Sequence, residues 1–394
     1  MATSTGQRRW GGAGPYGSGG GTVFKITPSG TLTTLYSFCT QYGCPDGDQP
    51  NAGLVQATNG YLYGTTKTGG AYGYGAVFKI TPSGTLTTIY SFCARSGCPD
   101  GDQPNAGLVQ ATNGYLYGTT EFGGAGPYGS GGGTVFKITP SGTLTTLYSF
   151  CLQSGCPDGE LPLSGLVQGT NGYLYGTTAA GGANGNLGTV FKITPSGTLT
   201  TVYSFCSQSG CADGDDPVAG LVQATDGNFY GTTDYGGAGK YGSGGTVFKI
   251  TPSGKLTTLY SFCSQSRCTD GEYPYAALVQ ATNGDFYGTT YVGGATIGGC
   301  MLGNGCGTVF SLSVGLGPFV ETQTTSGKVG AAVKILGSDL IGATSVTFNG
   351  TAATFTVVSR YLITTTVPAG ATTGTVQVVT PNGTLSSNLP FRVS

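Results

Sequence analysis

The feature that most constrains this chain is an internal repeat of about 55 residues, which runs through roughly the first 315 of its 394 residues. Residues 21–66 and 75–120 differ at only five of 46 positions. Self-similarity at such a period means that each repeat is one supersecondary unit that buries its apolar faces against its neighbours. We therefore predict a fold of stacked, nearly identical units. The segment G-T/A-V-F begins each unit at Gly21, Gly75, Gly133, Gly188, Gly245 and Gly307.

Each repeat contains four short runs of residues that favour β-strands. In the first full repeat these runs lie at 54–58, 61–66, 76–81 and 85–92. Asn-Gly, Pro-Ser-Gly and Pro-Asp-Gly turns separate them. Four antiparallel strands per repeat are typical of a propeller blade. We predict an all-β protein in which residues 21–315 form a β-propeller of about five four-stranded blades, with a partial repeat or tail at 1–20.

Ring closure and the core follow from counting these runs. The last repeat supplies three strands, so we expect the run at 31–38 to complete its blade, since a closed ring has no exposed edges. A six-bladed or open ring is the alternative. One tyrosine recurs identically in the second run of every repeat and is predicted to lie in the core: Tyr63, Tyr117, Tyr175, Tyr230 and Tyr287.

A second domain begins near residue 317, where both the cysteines and the repeat stop. Alternating Val and Thr residues then form short runs between Gly, Asn-Gly and Pro turns. Six or seven short strands in so small a segment indicate a β-sandwich over residues 318–394. The runs lie at 332–336, 344–348, 354–358, 362–367, 375–380 and 390–393.

The repeat also resembles a known family. Its elements YGTT, GTVFKITPSG and YSF, which recur in this order over about residues 11–315, resemble the GloVer-type, or choice-of-anchor, tandem repeat of bacterial extracellular proteins. This resemblance implies an exported surface or matrix protein, with no established activity for the family. Residues 318–394 resemble an IPT/TIG immunoglobulin-like domain, which implies a binding or spacer module without catalytic residues.

Composition excludes several kinds of active site. The chain has no His, so His-based triads and His-ligated zinc or haem are absent. Charged residues are only 8% and the net charge is −1, so no nucleic-acid partner is expected. Carboxylate pairs that recur in every repeat do not provide one asymmetric acid–base site. We therefore expect that the protein is not an enzyme, with a carboxylate-based polysaccharide hydrolase or lyase as the alternative.

The 12 cysteines fall into six close pairs. Short local disulfides fit this even, regular pairing better than a zinc site, which needs two converging pairs at closer spacing. Because disulfides persist in oxidising surroundings, we expect an extracellular or cell-surface protein. The pairs are Cys39/Cys44, Cys93/Cys98, Cys151/Cys156, Cys206/Cys211, Cys263/Cys268 and Cys300/Cys306.

Two further expectations concern targeting. No run of 18 apolar residues occurs, so no membrane span is predicted. Residues 1–21 lack the apolar run of a signal peptide, and residues 11–21 repeat the sequence of 123–133. We expect the chain to start inside a repeat, at a truncated or re-engineered end.

Loop lengths indicate where binding would occur. The connection between YGTT and GTVF varies from eight to 16 residues, whereas the other connections keep their length. Variable loops on one face of a constant scaffold usually carry binding, and Tyr among Gly suits a polysaccharide or another cell-surface component. The alternatives are that these rings only pack over the loops, or that the protein self-associates into a structural matrix. The candidate binding residues are Tyr72, Tyr74, Tyr128, Tyr235, Tyr241 and Tyr291.

Carboxylates are concentrated in the turn that follows each cysteine pair. Two carboxylates that flank a Gly, together with backbone carbonyls, provide part of a calcium site. Asp-Gly is also a good turn former, and an ion pair with the single strand Lys of each repeat is a third possibility. The candidate calcium ligands are Asp46, Asp48, Asp100, Asp102, Asp158, Glu160, Asp213, Asp215, Asp270 and Glu272, with Asp216 beside them.

Overall fold

The computed structural model describes residues 4–9, 20–27, 29–126, 131–294 and 305–393. In this part of the chain the regular secondary structure is all β-strand apart from two single-turn 3-10 helices at Ser209–Cys211 and Ser266–Cys268. None of its helices has the length and apolar character that crossing a membrane requires. The chain divides into two compact units, one made of Met1–Leu221, Phe229–Ala277 and Thr289–Thr308, the other of Val222–Asn228, Leu278–Gly288 and Val309–Ser394.

The repeats form six antiparallel sheets in the described residues, each with its strands in chain order. The first sheet contains β1 (Ser4–Arg8), β2 (Thr22–Ile26) and β3 (Leu32–Ser37). The second contains β4 (Val55–Gln56), β5 (Leu62–Thr66), β6 (Ala76–Ile80) and β7 (Leu86–Ser91). The third contains β8 (Val109–Gln110), β9 (Leu116–Thr120), β10 (Thr134–Ile138) and β11 (Leu144–Ser149).

The fourth sheet contains β12 (Val167–Gln168), β13 (Leu174–Thr178), β14 (Thr189–Ile193) and β15 (Leu199–Ser204). The fifth contains β16 (Val222–Gln223), β17 (Phe229–Thr233), β18 (Thr246–Ile250) and β19 (Leu256–Ser261). The sixth contains β20 (Val279–Gln280), β21 (Phe286–Thr289) and β22 (Val309–Leu312). Four of the six sheets therefore have the four strands that the repeat predicts.

The predicted closure of the fifth blade is wrong. β3 pairs with β2, and β1 pairs with the other edge of β2, so the run at 31–38 belongs to the first sheet. The register of Gly6 opposite Phe24 matches that of Gly64 opposite Phe78. β1 thus takes the place of the YGTT strand, and the first and last G-T-V-F strands lie in different sheets.

The first five sheets pack face to face in succession, so both faces of the second, third and fourth sheets are buried. Apolar clusters join neighbouring sheets, as where Tyr63 and Phe92 of one sheet pack with Leu116 and Phe136 of the next. The β10 strand has a burial pattern with one half-buried position among four buried ones, so no simple alternation of apolar and polar residues is possible. A register shift between Val135 and Phe136 adds a bulge to its pairing with β11.

The core tyrosines follow the prediction in four repeats. Tyr63, Tyr117, Tyr175 and Tyr230 are at most 1% exposed. Tyr287 is 40% exposed, so its assignment to the core is wrong. It belongs to the last repeat in the sequence, which no further repeat follows.

A glycine of the YGTT strand is required by close packing. A Cβ at Gly118 would lie 2.6 Å from Cζ of Phe136 on the neighbouring strand. Real Cβ atoms do not approach a ring carbon so closely, so any larger residue would displace the phenylalanine from the core. This contact explains the Gly of each YGTT segment.

The C-terminal region contains two four-stranded sheets and a two-stranded parallel one. Its strands are β23 (Val320–Thr322), β24 (Ser326–Gly327), β25 (Ala332–Gly337), β26 (Ser345–Phe348), β27 (Thr351–Ala352), β28 (Phe355–Ser359), β29 (Leu362–Thr366), β30 (Val376–Thr380), β31 (Gly383–Ser386) and β32 (Arg392–Val393). The first sheet has the order β23-β25-β29-β28 and the second β27-β26-β30-β31. Both sheets bury side chains in one core that includes Ile335, Ile363 and Val378.

We predict that Phe191→Ala destabilises the protein by about 3–5 kcal/mol, because the ring is fully buried between two sheets. Urea unfolding followed by circular dichroism measures the change. Tyr115→Ala removes a ring that is 38% exposed and is expected to cost less than about 1 kcal/mol. Equal losses in the two variants would contradict the packing described above.

Candidate functional site

Disulfide bonds and side-chain hydrogen bonds fix the turns that follow the cysteine pairs. Five disulfides join Cys39–Cys44, Cys93–Cys98, Cys151–Cys156, Cys206–Cys211 and Cys263–Cys268, as predicted. The sixth predicted pair includes Cys300, which lies outside the described residues. The first carboxylate of each turn accepts a hydrogen bond of 2.7–2.8 Å from the tyrosine hydroxyl of the preceding YSF strand. The pairs are Tyr36–Asp46, Tyr90–Asp100, Tyr148–Asp158, Tyr203–Asp213 and Tyr260–Asp270.

Burial raises the pKa of all five of these tyrosine hydroxyls. Burial, followed by the neighbouring Asp46 carboxylate, raises the pKa of Tyr36 to about 12. The same carboxylate also accepts from the backbone N–H of Cys39 at 3.2 Å. The first carboxylate of the turn therefore ties the outer strand to the disulfide loop.

The second carboxylate of each turn extends toward the variable loop. Its backbone pairs with the second residue after YGTT, as between Asp48 and Thr68, where N–H to O distances are 2.8 and 3.0 Å. Equivalent bridges join Asp102 to Phe122, Glu160 to Ala180, Asp215 to Tyr235 and Glu272 to Val292.

Calcium binding by these turns stays a prediction. Two groups of three potential metal ligands occur in the described ranges, Cys151/Cys156/Glu160 and Cys263/Cys268/Glu272. In both groups the sulfur atoms are joined in a disulfide, so they are not thiolate ligands. The strand lysines do not pair with the turn carboxylates among the described salt bridges. Instead Lys79, Lys137 and Lys192 lie 5.4–5.5 Å from the ring centres of Tyr61, Tyr115 and Tyr173.

Three positions per repeat carry different chemistry on this constant frame, and we call them the variable triplet. The first position holds Gln49, Gln103, Leu161, Asp216 and Tyr273. The second holds Asn51, Asn105, Leu163, Val218 and Tyr275. The third, directly after YGTT, holds Lys67, Glu121, Ala179, Asp234 and Tyr291.

Backbone hydrogen bonds hold the triplet in the same place in every repeat. The first residue has a left-handed backbone despite carrying a side chain, with φ of 55–58° in all five repeats. Its carbonyl accepts from the N–H of the third residue, at 3.0 Å between Asp216 and Asp234 and 2.9 Å between Tyr273 and Tyr291. Non-glycine residues in this conformation persist only where the surrounding structure imposes it.

Triplets of neighbouring repeats contact each other through their side chains. Nζ of Lys67 lies 2.7 Å from the Glu121 carboxylate, and Nδ2 of Asn51 donates to Asn105 at 2.7 Å. The third repeat contributes only apolar groups. The first two triplets are therefore already paired with one another.

The fourth and fifth triplets contribute to a different surface, which we call the acid–tyrosine cluster. It consists of Asp216 and Asp234 of the fourth triplet, Tyr273, Tyr275 and Tyr291 of the fifth, and the adjacent residues Asp215 and Tyr235. Asp234 is 1% exposed, and its Oδ1 has no hydrogen-bond partner among the described residues. Burial and the nearby carboxylates of Asp216 and Asp215 raise the pKa of Asp234 to about 7, although the Tyr275 hydroxyl opposes the rise as a hydrogen-bond donor.

The tyrosine rings of the cluster contact one another in tilted or edge-to-face geometry, and three of them are exposed. The ring centres of Tyr235 and Tyr273 lie 5.0 Å apart, and those of Tyr275 and Tyr291 lie 5.9 Å apart. Exposure is 43% for Tyr235, 55% for Tyr275 and 66% for Tyr291. Burial, followed by the Asp234 carboxylate, raises the pKa of Tyr275 to about 12.

The structure brings together two of the tyrosines proposed from the sequence, Tyr235 and Tyr291. Tyr72 and Tyr74 are also exposed but lie in another loop, whereas the exposed Tyr241 lies in the same loop as Tyr235. Tyr128 falls outside the described residues. Sequence reasoning missed Asp234, Tyr273 and Tyr275. Aligning the repeats position by position would have exposed the divergent triplet.

The repeated sheets and their variable triplets define a β-repeat protein. The family comparison matches the Gloeobacter/Verrucomicrobia repeat at residues 6–171 and 152–356, so the chain belongs to this repeat family. This confirms the GloVer-type resemblance. It gives no support to an IPT/TIG domain, and the second match runs past the predicted boundary at 315. No curated protein matches the chain in sequence.

Solved structures that match this chain at low identity include several enzymes. A fungal alcohol oxidase of the AA5 family in complex with copper is 15% identical with a TM-score of 0.44, over 95% of this chain and 81% of that chain. An α-L-arabinofuranosidase from Clostridium thermocellum is 14% identical with a TM-score of 0.35, over 64% and 88%. A xylan β-1,4-xylosidase from Bacillus halodurans is 16% identical with a TM-score of 0.33, over 64% and 51%. These neighbours contradict the expectation that the chain is not an enzyme.

We predict that Asp234 makes stability depend on pH. Between pH 3.8 and about 7 the folded state holds a proton that the unfolded chain releases, so stability falls as the pH rises through this window. The full difference is at most roughly 4 kcal/mol. Asp234→Asn is expected to reduce this loss and to be more stable than the original chain at pH 8. Urea unfolding at several pH values tests this, with Asp285→Asn as the control for a lost charge.

Proposed function

We propose that the protein binds polysaccharide at the acid–tyrosine cluster. The observation that carries this proposal is the group of exposed tyrosines beside Asp215, Asp216 and Asp234. Aromatic faces pack against the apolar C–H face of a sugar ring, while carboxylates accept hydrogen bonds from its hydroxyls. Sites that combine apolar surface with a few polar groups are typical of specific ligand recognition.

The position of the cluster supports this assignment. Its residues come from two successive repeats, whereas the scaffold around them is almost constant. A side chain that changes its chemistry on a constant backbone can be selected for a ligand without disturbing the fold. The triplets of the first two repeats use their polar groups in mutual contacts, which leaves the last two as the open surface.

We further propose that the protein acts outside the cytoplasm. Five local disulfides support this location, because such bonds persist in oxidising compartments. We propose that the repeat sheets form a β-propeller and that the two-sheet C-terminal region is an immunoglobulin-like spacer. The shared core of its two sheets supports a sandwich architecture.

A glycan array with and without a calcium chelator tests polysaccharide binding. We expect Tyr275→Ala to weaken binding about tenfold or more, because an exposed aromatic anchor is lost. Tyr173→Ala, which removes a 37% exposed ring elsewhere, is expected to bind normally. An array that stays blank under both conditions would overturn the proposal. Loss of signal with the chelator alone would assign a role to calcium.

Self-association is a second candidate, favoured by the last repeat sheet. Its β22 is an edge strand among the described strands, and Val279 and Val309 are 63% and 80% exposed. An exposed apolar edge pairs readily with another chain. We expect light scattering to give a mass that rises with concentration and Val309→Lys to reduce it. A strict monomer at high concentration would contradict this candidate.

A further inference from the structure

The charged groups that shift the pKa values of Asp234, Tyr235, Tyr273 and Tyr275 are all carboxylates. Asp216 and Asp215 act on Asp234, Glu272 acts on Tyr273, and these carboxylates raise the pKa of their neighbours. The salt bridges of the described ranges, Lys67–Glu121 and Arg360–Asp339, involve none of these residues. The cluster therefore carries negative charge that no salt bridge in the described chain offsets.

The burial of Asp234 adds an independent observation. A carboxylate that is 99% removed from solvent normally has partners for both oxygens, yet its Oδ1 has none among the described residues. Holding such a group costs stability unless a partner arrives. A hydrogen-bond donor with a positive charge would compensate it best, because charge-assisted bonds are the stronger ones.

The faces of the tyrosine rings also favour a positively charged ligand group. An aromatic ring attracts a cation to its face, and several rings around one point form a cage for an ammonium group. The hydroxyl of Tyr275 faces the Asp234 carboxylate, which polarises the phenol and makes its ring a better partner for a cation. Rings and carboxylates thus favour one kind of ligand group.

We propose that the acid–tyrosine cluster recognises a cationic amine, so that the bound polysaccharide is one that carries amino groups. The saccharide part of this inference rests on the proposed function, whereas the recognition of a cation rests on the cluster alone. The ammonium group would contact the faces of Tyr275 and Tyr291, with Asp234 and Asp216 supplying the negative charge. A neutral polysaccharide would leave these carboxylates uncompensated.

The test compares three probes by titration calorimetry with the full chain at pH 8. They are an N,N,N-trimethyl chitosan oligosaccharide, whose charge is permanent, the neutral chitin oligosaccharide of the same length, and the tetramethylammonium ion. We expect the cationic oligosaccharide to bind about tenfold more tightly than the neutral one, with an affinity that falls as salt rises. Tetramethylammonium is expected to compete with it.

Asp234→Asn and Asp216→Asn are each expected to reduce cationic binding about tenfold and to weaken binding of the neutral oligosaccharide much less, because the Asn amide oxygen still accepts a hydrogen bond but carries no charge. Asp285→Asn removes the same charge elsewhere and is expected to change neither. Two variants are used so that a folding defect in one does not decide the result. Equal affinity for the two oligosaccharides, or equal effects of all three substitutions, would overturn the inference.

These outcomes also separate the inference from the proposed function. Binding of neutral polysaccharide alone would overturn the inference and leave the proposed function standing. Binding of tetramethylammonium without any saccharide would support the cation site and overturn polysaccharide binding.

Discussion

The contact on which the repeat region depends is an edge-to-face packing of two phenylalanine rings between successive sheets. The ring at the end of one YSF strand meets the ring of the next repeat's G-T-V-F strand at 5.1–5.3 Å, with interplanar angles of 64–66°. The pairs are Phe38–Phe78, Phe92–Phe136, Phe150–Phe191 and Phe205–Phe248. Since each of these contacts buries both rings, the phenylalanine at the end of one YSF strand is covered by the next repeat.

Because the same phenylalanine packing recurs between repeats, the triplet positions can vary without affecting it. The hydrogen bond between Tyr203 and Asp213 and the disulfide after the same strand fix the turn that leads to Asp216. The backbone bond from Asp234 to Asp216 then sets the triplet without using either side chain. The side chains of the triplets can therefore differ between repeats at little cost to the fold. They include an ion pair across the first two repeats, apolar groups in the third, carboxylates in the fourth and aromatic rings in the fifth.

Much of the fold could be predicted from the sequence because its signals are local. Turn residues and β-branched runs placed the four strands of the full repeats and six C-terminal strands correctly to within a few residues. The strands β1, β23, β24, β27 and β31 were not predicted. The partner of β3 was not predictable, since the same YSF run fits the edge of any repeat sheet. The exposure of Tyr287 likewise depends on which sheet covers it, and the YGTT segment that it shares with the other repeats does not record this.

The candidate site, like the fold, was predicted only in part from the sequence. By itself the sequence determined the repeat, the disulfide pairs and the loops that carry Tyr235 and Tyr291, because these depend on spacing along the chain. Only the tertiary structure decided that Asp234, Tyr275 and Tyr273 lie together, since they come from two repeats about 40 residues apart. Burial of a carboxylate and contacts between aromatic rings are properties of three-dimensional packing, which a position in the sequence does not contain.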